Sequence, residues 1–395
     1  MVYVAIKDLG EVVTGKTPPT ENQSFFDGEI PFITPSDIDT FDKKYLFSTE
    51  RTLSPLGAKK IKNCKIPPKS ICFVCIGSTI GKMCMTNCES YTNQQINSVI
   101  PNEKWDNDYL FYLLRYIKVH FQSIGAGTGS GKGIVNKTIF SKAKVQVIET
   151  KDIQRRIGAI LSTYDTLIEN NNKRIKLLEK MAEKLYEEWF VHFRFPGHEN
   201  YSLKEQFPRG WVVASKATEM VCPEGWHYGD FSEIGTFVRG KNITAAEMVE
   251  GDIPVISAGL EPSGYHNANN VTGKSLTISA SGANAGYLKY HLSDIWAADC
   301  SYCQDDKKLW FIYNALKFLQ PVISNMQVGA AQPHVYPKNI NRLCTIIPDD
   351  DTIQAYCDKV EPIYEQIKLL KDKNANLTKQ RDMLLPRLMS GKLEV

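Results

Sequence analysis

The sequence predicts an α+β protein. Two similar α/β domains are separated by two long coiled-coil helices that pair antiparallel about a pseudo-two-fold axis. Three observations lead there: a heptad seam running from Asp152 to Trp189, a poorer seam about 200 residues later, and landmarks upstream of each seam that match one another. Self-similarity at a long period is the strongest organisational signal a single sequence offers.

The first domain covers residues 1–150. Short apolar or alternating runs (Ile30–Thr34, Ser70–Ile76, Ile96–Ile100, Lys144–Ile148) are divided by Pro, Gly and Asn, which predicts strands. Tyr109 to Phe121 is apolar on a helical period and predicts one helix.

The first long helix lies within residues 151–195. Ile157, Leu161, Tyr164, Ile168, Asn171, Ile175, Leu178, Ala182, Leu185 and Trp189 recur at alternating steps of four and three, with Arg, Lys, Glu and Asn between them. At ~1.5 Å per residue such a helix is roughly 55 Å long. Thr150 or Asp152 suits its cap, and Pro196-Gly197 stops the chain beyond it. Residues 196–230 form a linker marked by Pro208, Gly210, Pro223 and Gly225.

The second domain covers residues 231–348, strand-rich with a helical run from Lys308 to Leu319. Residues 349–395 hold the second long helix, with the stripe Val360, Ile363, Ile367, Leu370, Asn374, Leu377, Arg381, Leu384 and Leu388. Asn374 and Arg381 interrupt this stripe, and Pro362 predicts a kink or restart. Asn171 and Asn374 at seam positions suit register control, a solvated helix edge being the alternative.

The helices match at an offset of 200, where Ile153-Gln154 meets Ile353-Gln354 and Tyr164 meets Tyr364. Upstream, Gly15-Lys16 matches Gly240-Lys241. Gly28 to Thr34 matches Gly251 to Ser257, and Ser70, Gly77 and Gly81 match Ser275, Gly282 and Gly286. Lys137 and Ile139 match Lys338 and Ile340. The offset falls from 223 at Gly28 to 205 at Ser70, so the first copy carries 18 additional residues there, a basic insertion with Lys43, Lys44, Arg51, Lys59, Lys60, Lys62, Lys65 and Lys69.

Composition sets the bounds. The 395 residues are 43% hydrophobic, enough for a packed core in each of two or three domains, and the net charge is only +3. No signal-peptide layout and no run of 18 apolar residues is present, which predicts a cytoplasmic protein with no membrane role. Ten cysteines in that compartment are expected to be reduced thiols. Cys72-x2-Cys75 and Cys84-x3-Cys88 have zinc-like spacing, but Thr277 and Ala280 stand at the first pair's places in the second copy, so buried thiols are expected and zinc is the alternative. The glycine loop Gly125 to Gly133 fails the phosphate-loop spacing, because Ala126 stands where a glycine is required and Gly133 where Ser or Thr is required. Seven scattered histidines and no defensible carboxylate cluster give no reason to expect catalysis in this chain.

Two similar but unequal heads on a stiff spacer suit a ligand with two unequal epitopes on a rod. Duplex DNA is such a rod, rising ~3.4 Å per base pair. The expected DNA-binding residues lie in loops beside the matched landmarks. In the first domain they are Thr34, Ser36, Lys59, Lys60, Ser78, Thr79, Lys82, Gln94 and Lys132. In the second they are Lys241, Ser257, Ser281, Asn284, Tyr287, Gln327 and Gln332. Lysines serve phosphates, and Asn, Gln, Ser and Thr serve base edges.

Nearly the whole chain resembles the specificity subunit of a type I restriction-modification system. Lys151-Asp152-Ile153-Gln154-Arg155-Arg156-Ile157 resembles the start of that family's first conserved region, and Leu185 to Phe190 with Phe193 to Gly197 resembles its end. Pro223-Glu224-Gly225-Trp226 resembles the opening of a target-recognition domain, and Gln380 to Gly391 the family's C-terminal segment. The resemblance implies a non-catalytic subunit that directs two methyltransferase subunits, and endonuclease/translocase subunits, to a bipartite asymmetric site on double-stranded DNA. It implies no cofactor in this chain, S-adenosylmethionine, ATP and magnesium belonging to the partners. It also suggests partner contacts at Tyr186, Trp189 and Phe190, the core between helix and domain being the alternative for those rings. The competing readings are a coiled-coil adaptor whose heads bind proteins and a phosphate-loop enzyme.

Overall fold

Both long helices form where the heptads place them, at Lys151–Tyr186 and Asp350–Met389. The computed structural model describes residues 1–38, 44–126, 133–205, 221–326 and 334–395. It divides into two units, one of Met1–Lys173 with Lys371–Val395 and the other of Arg174–Leu370, so each unit takes part of each long helix.

The seam is visible in burial. Gln154, Leu161, Ile168, Ile175, Ala182 and Trp189 are buried at steps of seven, and Ile353, Val360, Ile367, Arg381 and Leu388 follow the same step on the second helix, with half-buried Asn374 between Ile367 and Arg381. The buried faces correspond at an offset of 199, with Ile157 matching Tyr356, Leu161 matching Val360 and Asp165 matching Tyr364. The offset of 200 taken from residue identities is therefore wrong by one position, because a few coincident side chains outweighed the face that packs. The same slip occurs at Ile139. Val135 and Val335 make equivalent backbone bonds to Cys75 and Ala280, so the buried counterpart of Ile340 is Phe140, and Ile139 is exposed.

In unit 1 the helices run antiparallel. Asn171 Nδ2 donates to Asn374 Oδ1 at 2.8 Å, and Asn374 Nδ2 donates to Asn172 Oδ1 at 2.8 Å. In unit 2 the Tyr356 hydroxyl donates to the Ala182 carbonyl at 3.0 Å, again joining the two long helices. Helix Asp350–Met389 continues through Pro362 without a break. Asp349 caps it, accepting from the Thr352 amide at 2.7 Å and from Trp226 Nε1 at 2.7 Å. The first long helix closes in a π turn, Glu187–Val191, which turns Trp189 and Phe190 into the core.

Unit 1 carries a five-stranded sheet ordered Gly10–Thr14, Ile96–Pro101, Ile71–Val74, Met83–Thr86, Tyr45–Leu46. A second sheet is ordered Arg51–Leu53, Phe26–Ile33, Ser90–Thr92, Lys65–Ile66. Unit 2 repeats the centre of both. Its four-stranded sheet is Val238–Arg239, Cys300–Cys303, Ser275–Ser279, Leu288–His291, and Ile253–Ile256 pairs parallel with Trp296–Ala297 as Phe26–Ile33 does with Ser90–Thr92. Gly264–His266 pairs with Ile253–Ile256 as Arg51–Leu53 does with Phe26–Ile33, and the Val271–Ile295 bridge repeats the Ile66–Ser90 pairing. The additional pieces of unit 1, Tyr45–Leu46 and helix Pro55–Lys60, belong to the basic insertion.

Three expectations need correction. The single helix expected from Tyr109 to Phe121 is two, Asn107–Tyr116 and Lys118–Ala126, broken at Ile117. Its counterpart breaks after Leu309–Phe318, where Pro321 starts a new turn. The 196–230 linker is also partly structured. Leu203–Glu205 pairs with Val221–Pro223, Trp226 stacks on Phe195 at 4.7 Å, and His227–Asp230 pairs with Cys344–Ile347. Cys72 faces Cys84 across neighbouring strands; both are buried, whereas Cys88 is exposed. Among the described residues no helix is long and apolar enough to cross a membrane.

Candidate nucleic-acid interface

In unit 1 several loops are drawn together by backbone hydrogen bonds. After strand Gly10–Thr14, the Lys16 amide donates to the Thr92 carbonyl at 3.0 Å. Gly15 is required there, since a Cβ would sit 2.2 Å from that same oxygen. After Phe26–Ile33, the Ile33 carbonyl accepts from the Asn93 amide at 3.0 Å. The hairpin of Ile71–Val74 and Met83–Thr86 turns through a 3-10 step, Gly77–Thr79. Its arm is tied to the same cluster, because the Cys75 amide donates to the Gln95 carbonyl at 2.8 Å, and the Gly77 amide to the Gly133 carbonyl at 2.8 Å.

Unit 2 repeats the bonding with other side chains. The Lys241 amide donates to the Ala297 carbonyl at 2.9 Å, the Ala298 amide to Ile256 at 2.8 Å and the Ala280 amide to Asp299 at 3.4 Å. The hairpin turns through Gly282–Asn284, and Gly77, Gly81, Gly282 and Gly286 share positive φ angles of 58°, 89°, 74° and 85°. These matched glycines keep the two turns alike while the residues between them differ, Ser78-Thr79 in one and Ala283-Asn284 in the other.

The expected residues fall into four groups. Ser36, Ser78, Gln94, Lys241 and Tyr287 are exposed at the cluster in their own unit, with Thr79, Lys82, Ser257 and Asn284 half-buried beside them. Several are held in place: Thr79 Oγ1 donates to the Ile76 carbonyl at 2.8 Å, Gln94 Oε1 accepts from Thr17 Oγ1 at 2.8 Å, and Ser257 lies 3.0 Å from Ser263. Thr34 is occupied internally, its amide and hydroxyl both donating to Asp37 at 2.7 Å. Ser281 is buried and donates to Asp299 Oδ2 at 2.5 Å, so it braces the site rather than facing a ligand. Lys59 and Lys60 stand exposed on helix Pro55–Lys60, which packs on Phe25, and they widen the basic surface without joining the loop cluster. Lys132, Gln327 and Gln332 lie outside the described residues.

Sequence reasoning missed Lys16, although its match to Lys241 was in hand. It also missed Arg239, which forms an ion pair with Asp299. The equivalent place in unit 1 holds uncharged Thr14, whose hydroxyl donates to Asn97 Oδ1 at 2.6 Å. The basic character of the unit 1 cluster reaches Cys64, where burial raises the thiol pKa while Lys16 and Lys137 pull against it. Among the described residues no His, Cys, Asp and Glu group could hold a metal ion. Hydrogen-bonding side chains and the exposed Lys16 and Lys241 on a rigid loop platform suit binding of a polyanion.

Tyr186, Trp189 and Phe190 are not placed to meet a partner. All three are buried in the core of unit 2, with Phe190 edge-on to Phe311 at 4.7 Å and Tyr356 packed on each of the three rings. Their size and their position at the helix end and in the π turn made them the joint between helix and domain. Beside them a groove of about 180 Å³ is lined by Glu183, Glu187, Asn314, Lys317 and Phe318 together with Tyr186.

Comparison with known proteins adds a second line. The family described as "Type I restriction modification DNA specificity domain" matches residues 1–180 and 223–379. The chain is 27% identical over 419 residues to the MjaIX specificity subunit of Methanocaldococcus jannaschii, covering 99% of this chain and 93% of that protein. It is 31% identical over 175 residues to the HindI specificity subunit of Haemophilus influenzae, covering 43% of this chain and 37% of that one. In fold it resembles the crystal structure of a type I restriction-modification S subunit from M. genitalium, at TM-score 0.58 and 16% identity, over 98% of this chain and 96% of the other.

Proposed function

Because this chain belongs to the type I restriction modification DNA specificity domain family, we propose that it is the DNA-specificity subunit of a type I restriction-modification complex, each unit reading one half of a two-part, asymmetric target. The observation that carries this reading is one loop platform built twice with different side chains. Alike platforms suit the same kind of ligand, and unlike side chains suit different sequences.

Lys16, Lys59, Lys60 and Lys82 of unit 1 and Lys241 of unit 2 serve phosphates, which fix register without reading sequence. The hairpin turns and the loops after the parallel strand pairs present hydroxyl, amide and phenol groups to base edges. The chain contributes binding and orientation. Adenine methylation and ATP-driven cleavage reside in methyltransferase and endonuclease subunits that assemble with it.

The test is a map of adenine methylation in a host with and without this gene, the cognate methyltransferase being present throughout. Deletion is expected to erase one asymmetric, two-part motif. An unchanged map would exclude a role in directing methylation and favour heads that bind proteins.

A further inference from the structure

Arg239 ends a strand of unit 2 and opens the turn to Lys241. It is exposed, and it forms an ion pair with Asp299. Asp299 is itself fixed, its other oxygen accepting from the buried Ser281 hydroxyl at 2.5 Å. The three residues come from three loops that the backbone already holds together: the Gly240 amide donates to the Cys300 carbonyl at 2.9 Å, and the Ala280 amide to the Asp299 carbonyl at 3.4 Å. The guanidinium is thus braced through two layers within the candidate interface.

Two properties of this arrangement separate base reading from phosphate binding. An arginine paired with a carboxylate carries little net charge to a phosphate, so its value as an electrostatic anchor is small. It still has five N–H donors in a rigid fork, only part of which one carboxylate engages. A neutralised, oriented fork is suited to a directional acceptor pair, and in the major groove guanine alone offers two acceptors, O6 and N7, side by side. The neighbouring Lys241, exposed, supplies the charge that Arg239 has lost. In unit 1 the equivalent position is Thr14, bonded to buried Asn97, so this device is confined to one half of the target.

We propose that Arg239, positioned by Asp299 and Ser281, reads a guanine edge in the half-site recognised by unit 2. The inference rests on the DNA-specificity reading above. Asp299 and Ser281 are positioning residues: they orient the fork and touch no base.

The experiment uses the full chain in complex with its methyltransferase and a library of duplexes randomised at each mapped position. Wild type is expected to require guanine at one position of the second half-site, and to lose about 5–150-fold in binding when that base is replaced by 7-deazaguanine, which lacks N7. Arg239→Ala should relax that position alone and become insensitive to 7-deazaguanine. Arg239→Lys should keep the charge and still lose the guanine requirement, and Asp299→Ala should weaken it with Arg239 intact. Melting temperature is followed for each variant, and a folded variant with an unchanged base profile at every position would overturn the proposal. So would a second half-site with no guanine requirement, or an Arg239→Ala variant that binds all sequences uniformly less well. A wild-type complex that selects no two-part motif would instead fail the specificity reading itself, so the two failures are distinguishable.

Discussion

Arg381 is fully buried in the middle of a hydrophobic heptad. Its Nη1 donates to Asp165 Oδ1 at 2.5 Å and its Nε to Asp382 Oδ1 at 3.0 Å, while the Tyr112 hydroxyl donates to the other oxygen of Asp165. Breaking such a pair by removing one partner typically costs about 3–5 kcal/mol, whereas replacing both by apolar groups is near neutral. Arg381→Met and Asp165→Leu are therefore each expected to destabilise unit 1 by that amount, and the double variant to recover most of it. Urea unfolding followed at Trp105, the one tryptophan in the sequence of unit 1, measures both. Asp349 gives a pH-dependent counterpart in unit 2. Burial opposes its ionisation, yet hydrogen bonds from Thr352 and Trp226 outweigh that and hold its carboxyl below the ordinary value. A depressed pKa stabilises the fold above the unfolded value, ~3.9 for Asp, and that contribution fades as pH falls through the folded value. Asp349→Asn should melt below wild type at pH 7, and the gap should close in acid; a gap that persists at pH 2 would contradict this. The sequence showed Arg381 only as an interruption of the seam, since nothing local names a partner 216 residues earlier.

Elements were legible where one periodicity decided them. The heptads placed both long helices nearly to the residue. The glycines Gly77, Gly81, Gly282 and Gly286 were legible only as matched landmarks; that they turn two hairpins at positive φ came from the structure. Register was less legible. The helices superpose by burial at 199 and by identity at 200, and only packing distinguishes the two. Gly158 shows what packing demands. It lies inside the first long helix, where alanine would ordinarily gain about 1 kcal/mol. A Cβ there would stand 2.8 Å from Asp106 Oδ1 and 3.0 Å from the Tyr109 amide, at the start of the helix that unit 1 packs against it. Gly158→Ala is accordingly expected to destabilise by roughly 1–3 kcal/mol, against the sign that helix propensity gives. A rise in melting temperature would show that this contact yields.

At the scale of the molecule, the repeat and the basic insertion were both readable, and together they make the two units unequal in charge as well as in side chains. What the sequence left unread was which loops converge. That is fixed by amide-to-carbonyl bonds such as Lys16 to Thr92 and Lys241 to Ala297, which depend on strand order and leave no mark on composition. The inequality has a measurable consequence. If Lys59 and Lys60 meet phosphates, each removed contact should flatten the dependence of log K on log salt by ~0.9. Lys59→Ala with Lys60→Ala should do so while the methylated motif stays the same. An unchanged salt slope would remove both lysines from the interface.

The division of each long helix between two units also orders events in time. Unit 2 is one uninterrupted stretch, Arg174–Leu370, whereas unit 1 needs Lys371–Val395 to finish. Leu385, Leu388 and Met389 belong to the core that Ile157 and Leu161 help to form, and Asp165 awaits Arg381. On a ribosome adding about 5–20 residues per second, the interval between the two pieces of unit 1 lasts roughly 10–40 s. The domain translated first is therefore completed last, and for that interval it holds an unpaired carboxylate and an open apolar seam, the period in which a nascent chain of this design is most exposed to chaperones and proteases.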